Sequence, residues 1–315
     1  MTVPDFFIVG AAKAGTTSVA DYLSQHPQLY ISPVKEPHYF AKDIHQDELR
    51  PLLKKRLKDI NLEAVFQSEG KEKIHRAYIN DREVYERLFS FAKPGQLKGE
   101  ASPSYLYSTV AANEIYRQNP SARIIIILRE PVSRAFSNYL MDLRIGYATG
   151  SFEDALKEDA GSSSTSWGSR SLYRELGLYS EQVKRYFSVF PKEQICVLLY
   201  DDLQTDTPGS LRKILQFLDV SDDIRNFDLS KRNEAVIPRL SLDLQQPWVE
   251  KLKRIASNLP GGRSLSERLK KIIYKKPVQV KPDAATVKML KEYYRKDIEQ
   301  LELLTGINLS AWKQA

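Results

Sequence analysis

Short apolar runs alternate with longer stretches of helical periodicity along this chain. Residues 5–9 (DFFIV) and 123–128 (RIIIIL) are too short and too evenly apolar for amphipathic helices, and read as buried strands. Further strands are predicted near 28–31, 96–100 and 194–199, with the first reaching residue 10. Helical patterns fall near 16–25, 47–58, 81–91, 109–118, 131–144, 152–159, 171–189, 207–218, 241–257, 265–273 and 283–304. Strands alternating with helices predict an α/β fold, a central parallel sheet covered by helices on both faces. At 315 residues, one domain over 1–315 is expected. Ligands of such sheets bind beyond the carboxyl ends of the strands, where Lys13, Glu100 and Arg129 all fall.

The first strand runs into Gly10-Ala-Ala-Lys-Ala-Gly15-Thr-Thr, and a helix pattern follows at once. Strand, Gly-rich turn and helix N-terminus together make an anion cradle. The Gly10-to-Gly15 spacing is that of a nucleotide phosphate loop. Yet Thr16 stands where that loop carries its lysine, and Lys13 lies inside the turn instead. A Mg-nucleotide enzyme also tends to end a later apolar strand in a metal-binding Asp. Here residues 123–128 end in Arg129, which suits a second anionic group on the ligand. Pro131 sits at a favoured first-turn position of the next helix, and Ser133 and Ser137, four apart, share one of its faces.

GAAKAGTTS resembles the 5'-phosphosulfate loop of sulfotransferases that use 3'-phosphoadenosine 5'-phosphosulfate (PAPS). RIIIILREPVSRAFSNY resembles their 3'-phosphate-binding strand, loop and helix. The likeness continues through Lys35-Glu-Pro-His-Tyr-Phe40, Gly99-Glu-Ala-Ser-Pro-Ser-Tyr105, residues 179–187 and residues 191–200. It is nearest to the carbohydrate and small-molecule branch. It implies a P-loop-like three-layer fold and PAPS as donor, with the bisphosphate PAP as product. Ala12, Lys13, Ala14, Gly15, Thr16, Thr17 and Ser18 are then expected on the 5'-phosphate, and Arg129 and Ser137 on the 3'-phosphate. Lys231, Arg232 and Asn233 resemble a late basic loop that closes over the donor, without the glycine of its commoner forms.

The resemblance also implies the chemistry. Lys13 is expected to neutralise the departing phosphate oxygen, and Glu36 to act as catalytic base. His38 would project to the same side if residues 36–38 are extended, orienting the acceptor or serving as the base. Lys35, Glu100 and Tyr105 are further acceptor-side candidates. No metal is expected, because a sulfuryl group carries less charge than a phosphoryl group. Two other readings stay open: a P-loop kinase or NTPase, favoured by the glycine spacing, and a non-catalytic PAP- or polyanion-binding module. The acceptor, a small molecule or a carbohydrate, is left to the variable stretches 41–95, 140–170 and 241–280.

Composition changes the picture in two places. Residues 251–276 hold nine Lys and Arg against one acid, while the whole chain is only +7. This segment suits an acidic acceptor, a peripheral membrane contact or a solvated face, and it lacks the aromatic interleaving of a nucleic-acid groove. One cysteine, Cys196, rules out an internal disulfide and reads as a buried strand residue. No apolar run approaches a bilayer span and no leader precedes the loop, so a cytoplasmic, bacterial address is expected. The serine-rich piece 161–169 reads as a surface loop or a lid beside the acceptor.

Overall fold

The computed structural model describes residues 3–161, 163–230 and 281–314. Five strands form one sheet: β1 Phe6–Gly10, β2 Leu29–Ile31, β3 Leu97–Ala101, β4 Arg123–Leu128 and β5 Ile195–Leu199. Their order is β2-β3-β1-β4-β5, and every pairing is parallel. The helices before the sheet crosses over are α1 Thr16–Leu23, α2 Pro51–Lys58, α3 Leu62–Gln67, α4 Arg82–Arg87, α5 Ser104–Tyr107 and α6 Ala111–Gln118. Then follow α7 Pro131–Ile145, α8 Phe152–Gly161, α9 Tyr179–Phe187, α10 Tyr200–Thr205, α11 Thr207–Phe217, α12 Ala284–Thr305 and α13 Ser310–Lys313.

β1 lies at the centre with all five residues buried, as an apolar run flanked by helix layers on both faces must be. The chain leaves β1 toward β2 on one side and leaves β4 toward β5 on the other. The crevice between their carboxyl ends is therefore the switch point where a doubly wound sheet takes its ligand. Backbone bonds close its floor: the Ala11 N–H donates to the Ile127 carbonyl at 2.6 Å.

All five predicted strands occur within a residue or so of their expected limits. The helices differ where local chemistry intervenes. Only Tyr179–Phe187 of the expected 171–189 helix is α-helical. The Asp159 carboxylate captures the N–H groups of Ser171, Leu172 and Tyr173, and Leu172 takes a φ of 53°, so the chain cannot coil there. α9 begins instead where Asp297 of α12 accepts the N–H groups of Tyr179 and Ser180. α12 buries Leu290, Tyr294, Ile298 and Leu301, one stripe at helical spacing. The helices expected at 241–257 and 265–273, and the basic segment 251–276, lie outside the described residues. Among the described residues no helix is long and apolar enough to cross a membrane.

Candidate active site

A cleft of about 900 Å3 opens at the carboxyl ends of β1, β3 and β4. The side expected to hold the donor is the turn after β1. Gly10 must be glycine because a Cβ there would stand 2.5 Å from the Cβ of Leu106. Gly15 caps α1 in the left-handed conformation at φ 84°, with the Tyr200 ring 3.1 Å from where a side chain would begin. Ala12, Lys13, Gly15, Thr16, Thr17 and Ser18 all line the cleft, at a helix N-terminus with no acidic residue in its first turn. Ala14 does not: it is buried, and its N–H donates to the Ala11 carbonyl at 3.2 Å.

Lys13 takes a φ of 69°, and its Nζ lies 3.4 Å from the Met141 sulfur of α7. Burial, then the positive charges of Arg144 and Arg129, bring its ammonium down to a pKa of about 8. An ammonium already short of solvation and crowded by cations gains strongly from an incoming anion. Arg129 faces it from the tip of β4. The Arg129 Nη1 donates to the Lys13 carbonyl at 3.0 Å, its guanidinium lies 4.6 Å from the centre of the Tyr200 ring, and its own carbonyl accepts from the Tyr179 hydroxyl at 2.9 Å. Glu130 makes no ion pair with it. That carboxylate instead caps α7, accepting from the N–H groups of Val132 and Ser133, with Pro131 at the first helical position. Ser133 and Ser137 line the cleft together, as their spacing implied.

The side expected to hold the acceptor is built less regularly. Residues 33–37 run beside 74–79, joined by a parallel bridge between Val34 and Ile74 and by backbone bonds from Lys35 to Ile74, from Ala77 to Glu36 and from Ile79 to Pro37. The extended conformation expected for 36–38 does not occur, since Glu36 and His38 have φ values of 59° and 56°. Glu36 still reaches the cleft, where its carboxylate accepts from Lys35 Nζ at 2.9 Å and from Arg76 Nε at 2.7 Å. His38 and His75 each bring Nε2 within 3.9 Å of it. Burial alone would raise the Glu36 carboxyl, but Arg76 and then Lys35 outweigh it and hold it well below the usual carboxylate range. The Arg76 contact is the part that sequence reasoning missed, because a long-range pairing of irregular segments leaves no periodic signal.

The remaining expected residues fall elsewhere. His38 is packed behind Glu36, its ring stacked on Tyr78 at 4.2 Å and its Nδ1 2.6 Å from the Ser104 hydroxyl. Burial holds it neutral, with a pKa lowered to about 3. Its Nε2 is buried without a hydrogen-bond partner. Glu100 and Tyr105 are core residues and not walls of the cleft. Glu100 accepts from the hydroxyls of Tyr85 and Ser102, and the Tyr105 hydroxyl accepts from the Phe40 N–H at 3.2 Å. Lys231, Arg232 and Asn233 lie outside the described residues. From the serine-rich piece, Trp167 and Gly168 reach the cleft.

A displaced loop lysine, a strand-tip arginine and a clamped carboxylate thus share one crevice of a five-stranded parallel sheet. The chain belongs to the sulfotransferase family, whose model matches residues 4–223. It is similar over its full length to a crystallised sulfotransferase from Alicyclobacillus acidocaldarius, with 30% identity, a TM-score of 0.69 and complete coverage of both chains. Human carbohydrate sulfotransferase 15 is 26% identical over 75% of this chain and 46% of its own length. Mouse heparan sulfate glucosamine 3-O-sulfotransferase 3B1 is 26% identical over 69% of this chain and 46% of its own length. The chain thus spans about half the length of the curated relatives it matches.

Proposed function

We propose that this protein transfers a sulfuryl group from PAPS to a hydroxyl, or an amine, of a small-molecule or carbohydrate acceptor. The observation that carries the reading is Lys13, inside the phosphate turn and opposed by Arg129, with Glu36 on the far wall of the same cleft. The α1 N-terminus and the hydroxyls of Thr16, Thr17 and Ser18 suit a 5'-phosphate, and Arg129 with Ser137 suits a 3'-phosphate. PAPS, when bound, supplies the activated sulfuryl group. As the acceptor oxygen bonds to sulfur, its proton passes to Glu36. The electron pair of the breaking S–O bond goes to the phosphate oxygen of PAP, where Lys13 meets the new charge.

Two measurements test this. Sulfation with labelled PAPS should proceed in EDTA and should fall in Lys13→Ala by about 10²–10³-fold, the scale of one lost oxyanion donor. PAP affinity should fall less, since the backbone cradle remains. Arg129→Ala should weaken PAP far more than adenosine 5'-phosphate, and equal losses for both would remove Arg129 from the 3'-phosphate site.

A further inference from the structure

The acceptor end of the cleft carries more positive charge than one base and one donor require. Arg50, Arg56, His75, Arg76 and Arg144 line it; of the three carboxylates in the cleft Glu130 caps α7, which leaves Glu36 and Asp142. Both carboxylates are engaged already. Glu36 holds Lys35 and Arg76, while Asp142 accepts from the hydroxyls of Ser171 and Tyr173, with Arg50 3.8 Å away. Arg56 and Arg144 are exposed and have no ion-pair partner among the described residues. The charges are also gathered together. All five line one cleft, and the Arg50 guanidinium lies 4.4 Å above the ring of Tyr147 in the same wall. Phe136, Tyr147 and Trp167 give the same end flat apolar walls.

Guanidinium groups gathered in a concave wall repel one another, and that repulsion is relieved by an anion. Their planar forks match a carboxylate or a sulfate. We propose that the acceptor is a ring-bearing anion whose carboxylate or sulfate is taken by Arg56, Arg76 and Arg144 while its ring packs on Tyr147 and Trp167. This narrows the sulfuryl-transfer reading and rests on it. Arg76 then has two partners to choose between. It now holds Glu36 Oε2 at 2.7 Å, and an acceptor anion that draws it away leaves the Glu36 carboxylate with Lys35 and a greater appetite for a proton. A neutral acceptor leaves that clamp closed, so the charge that identifies the acceptor also readies the base.

The test uses the full chain, titrated calorimetrically first with PAP and then, saturated with PAP, with two matched pairs of probes. The aromatic pair is 4-hydroxybenzoate against 4-hydroxybenzamide, and the sugar pair is methyl glucuronide against methyl glucoside. In at least one pair the charged member should bind about tenfold tighter or better, roughly 1.4 kcal/mol, and the responding pair identifies the ring. That preference should shrink several-fold in Arg56→Gln and in Arg144→Gln. Both side chains are exposed, and an unaltered denaturant midpoint shows that each variant is folded. The proposal is overturned if charged and neutral members bind alike, if no charged probe binds, or if the preference survives in both variants. Normal PAP binding alongside any of those results leaves the sulfuryl-transfer reading standing, whereas loss of PAP binding in the unaltered protein removes that reading itself.

Discussion

Two buried glutamates at the same, carboxyl end of the sheet, Glu36 just beyond β2 and Glu100 in β3, are driven in opposite directions by their neighbours. Glu36 is 5% exposed and Glu100 is 1% exposed, so burial pushes both carboxyls up. At the 35–38 turn that push is overcome by Arg76 and Lys35, and the group stays ionised. At the end of β3 nothing cationic answers it. Burial raises Glu100 to a pKa of about 7, and the hydroxyls of Tyr85, Ser102 and Tyr105 only moderate the rise. The depth of burial is nearly the same and the neighbours decide the charge. Glu36 is a carboxylate displayed to a cleft. Glu100 is a polar node that ties α4 and the segment after β3 to the sheet through Tyr85 and Ser102.

The comparison breaks most readily at the chemical step. Glu36→Gln keeps the shape but cannot take a proton, so single-turnover sulfation with pre-bound PAPS should fall by about 10³-fold, within the range of a lost general base. PAP affinity should stay within about twofold, because Glu36 belongs to the acceptor wall. Glu100→Gln should leave the same rate within a few-fold. Equal losses in the two variants would mean that the buried node, and not the displayed carboxylate, sets the rate.

The donor side was legible because its parts are local. Strand, turn and helix N-terminus occupy residues 6–23 without interruption, and Lys13 and Gly15 carry their meaning in their spacing. Arg129 could be placed because β4 is an unbroken apolar run with one cation at its tip. The acceptor side was half legible. Glu36 lay in a recognisable segment, but Arg76 lies forty residues on, beside Lys73, Ile74 and His75, and meets it only through the pairing of 33–37 with 74–79. Glu100 and Tyr105 were misplaced for a related reason. A strand end points toward the site as a whole, yet side chains there alternate between cleft and core, and the partner that settled the matter, Tyr85, lies on α4. The 171–178 stretch had helical periodicity, but Asp159 took its N–H groups.

A smaller effect sharpens the contrast through stability. With a folded pKa raised from 4.5 to about 7, the Glu100 contribution is complete below pH 4.5 and is lost as pH rises through 7. Glu100→Gln has no proton to lose. Relative to the unaltered protein, the variant should therefore gain on the order of 2 kcal/mol between pH 5 and pH 8, read from denaturant midpoints at constant slope. Glu36→Gln should not reproduce that gain, since the Glu36 carboxyl is ionised throughout this window in both the folded and the unfolded chain. A flat difference curve for Glu100→Gln would mean that Glu100 is ionised in the fold after all.

A modest effect on rate belongs to His38, and its pH signature opposes that of Glu100. Burial lowers His38 from 6.5 to about 3, so the unfolded chain binds the extra proton between those values. Its contribution is therefore complete above pH 6.5 and drains away as pH falls, by on the order of 2 kcal/mol at pH 5. His38→Asn is the variant of choice, because asparagine tolerates the φ of 56° and can keep a polar atom toward the Ser104 hydroxyl. It should lose this acid sensitivity, while sulfation falls by about tenfold at most, with KM for the acceptor affected more than kcat. His38 and Glu100 thus offset each other between pH 5 and pH 8, and their two single variants should tilt in opposite directions over that range. Had His38 been the base, His38→Asn would abolish single-turnover sulfation while Glu36→Gln retained it, and the two walls of the cleft would exchange roles.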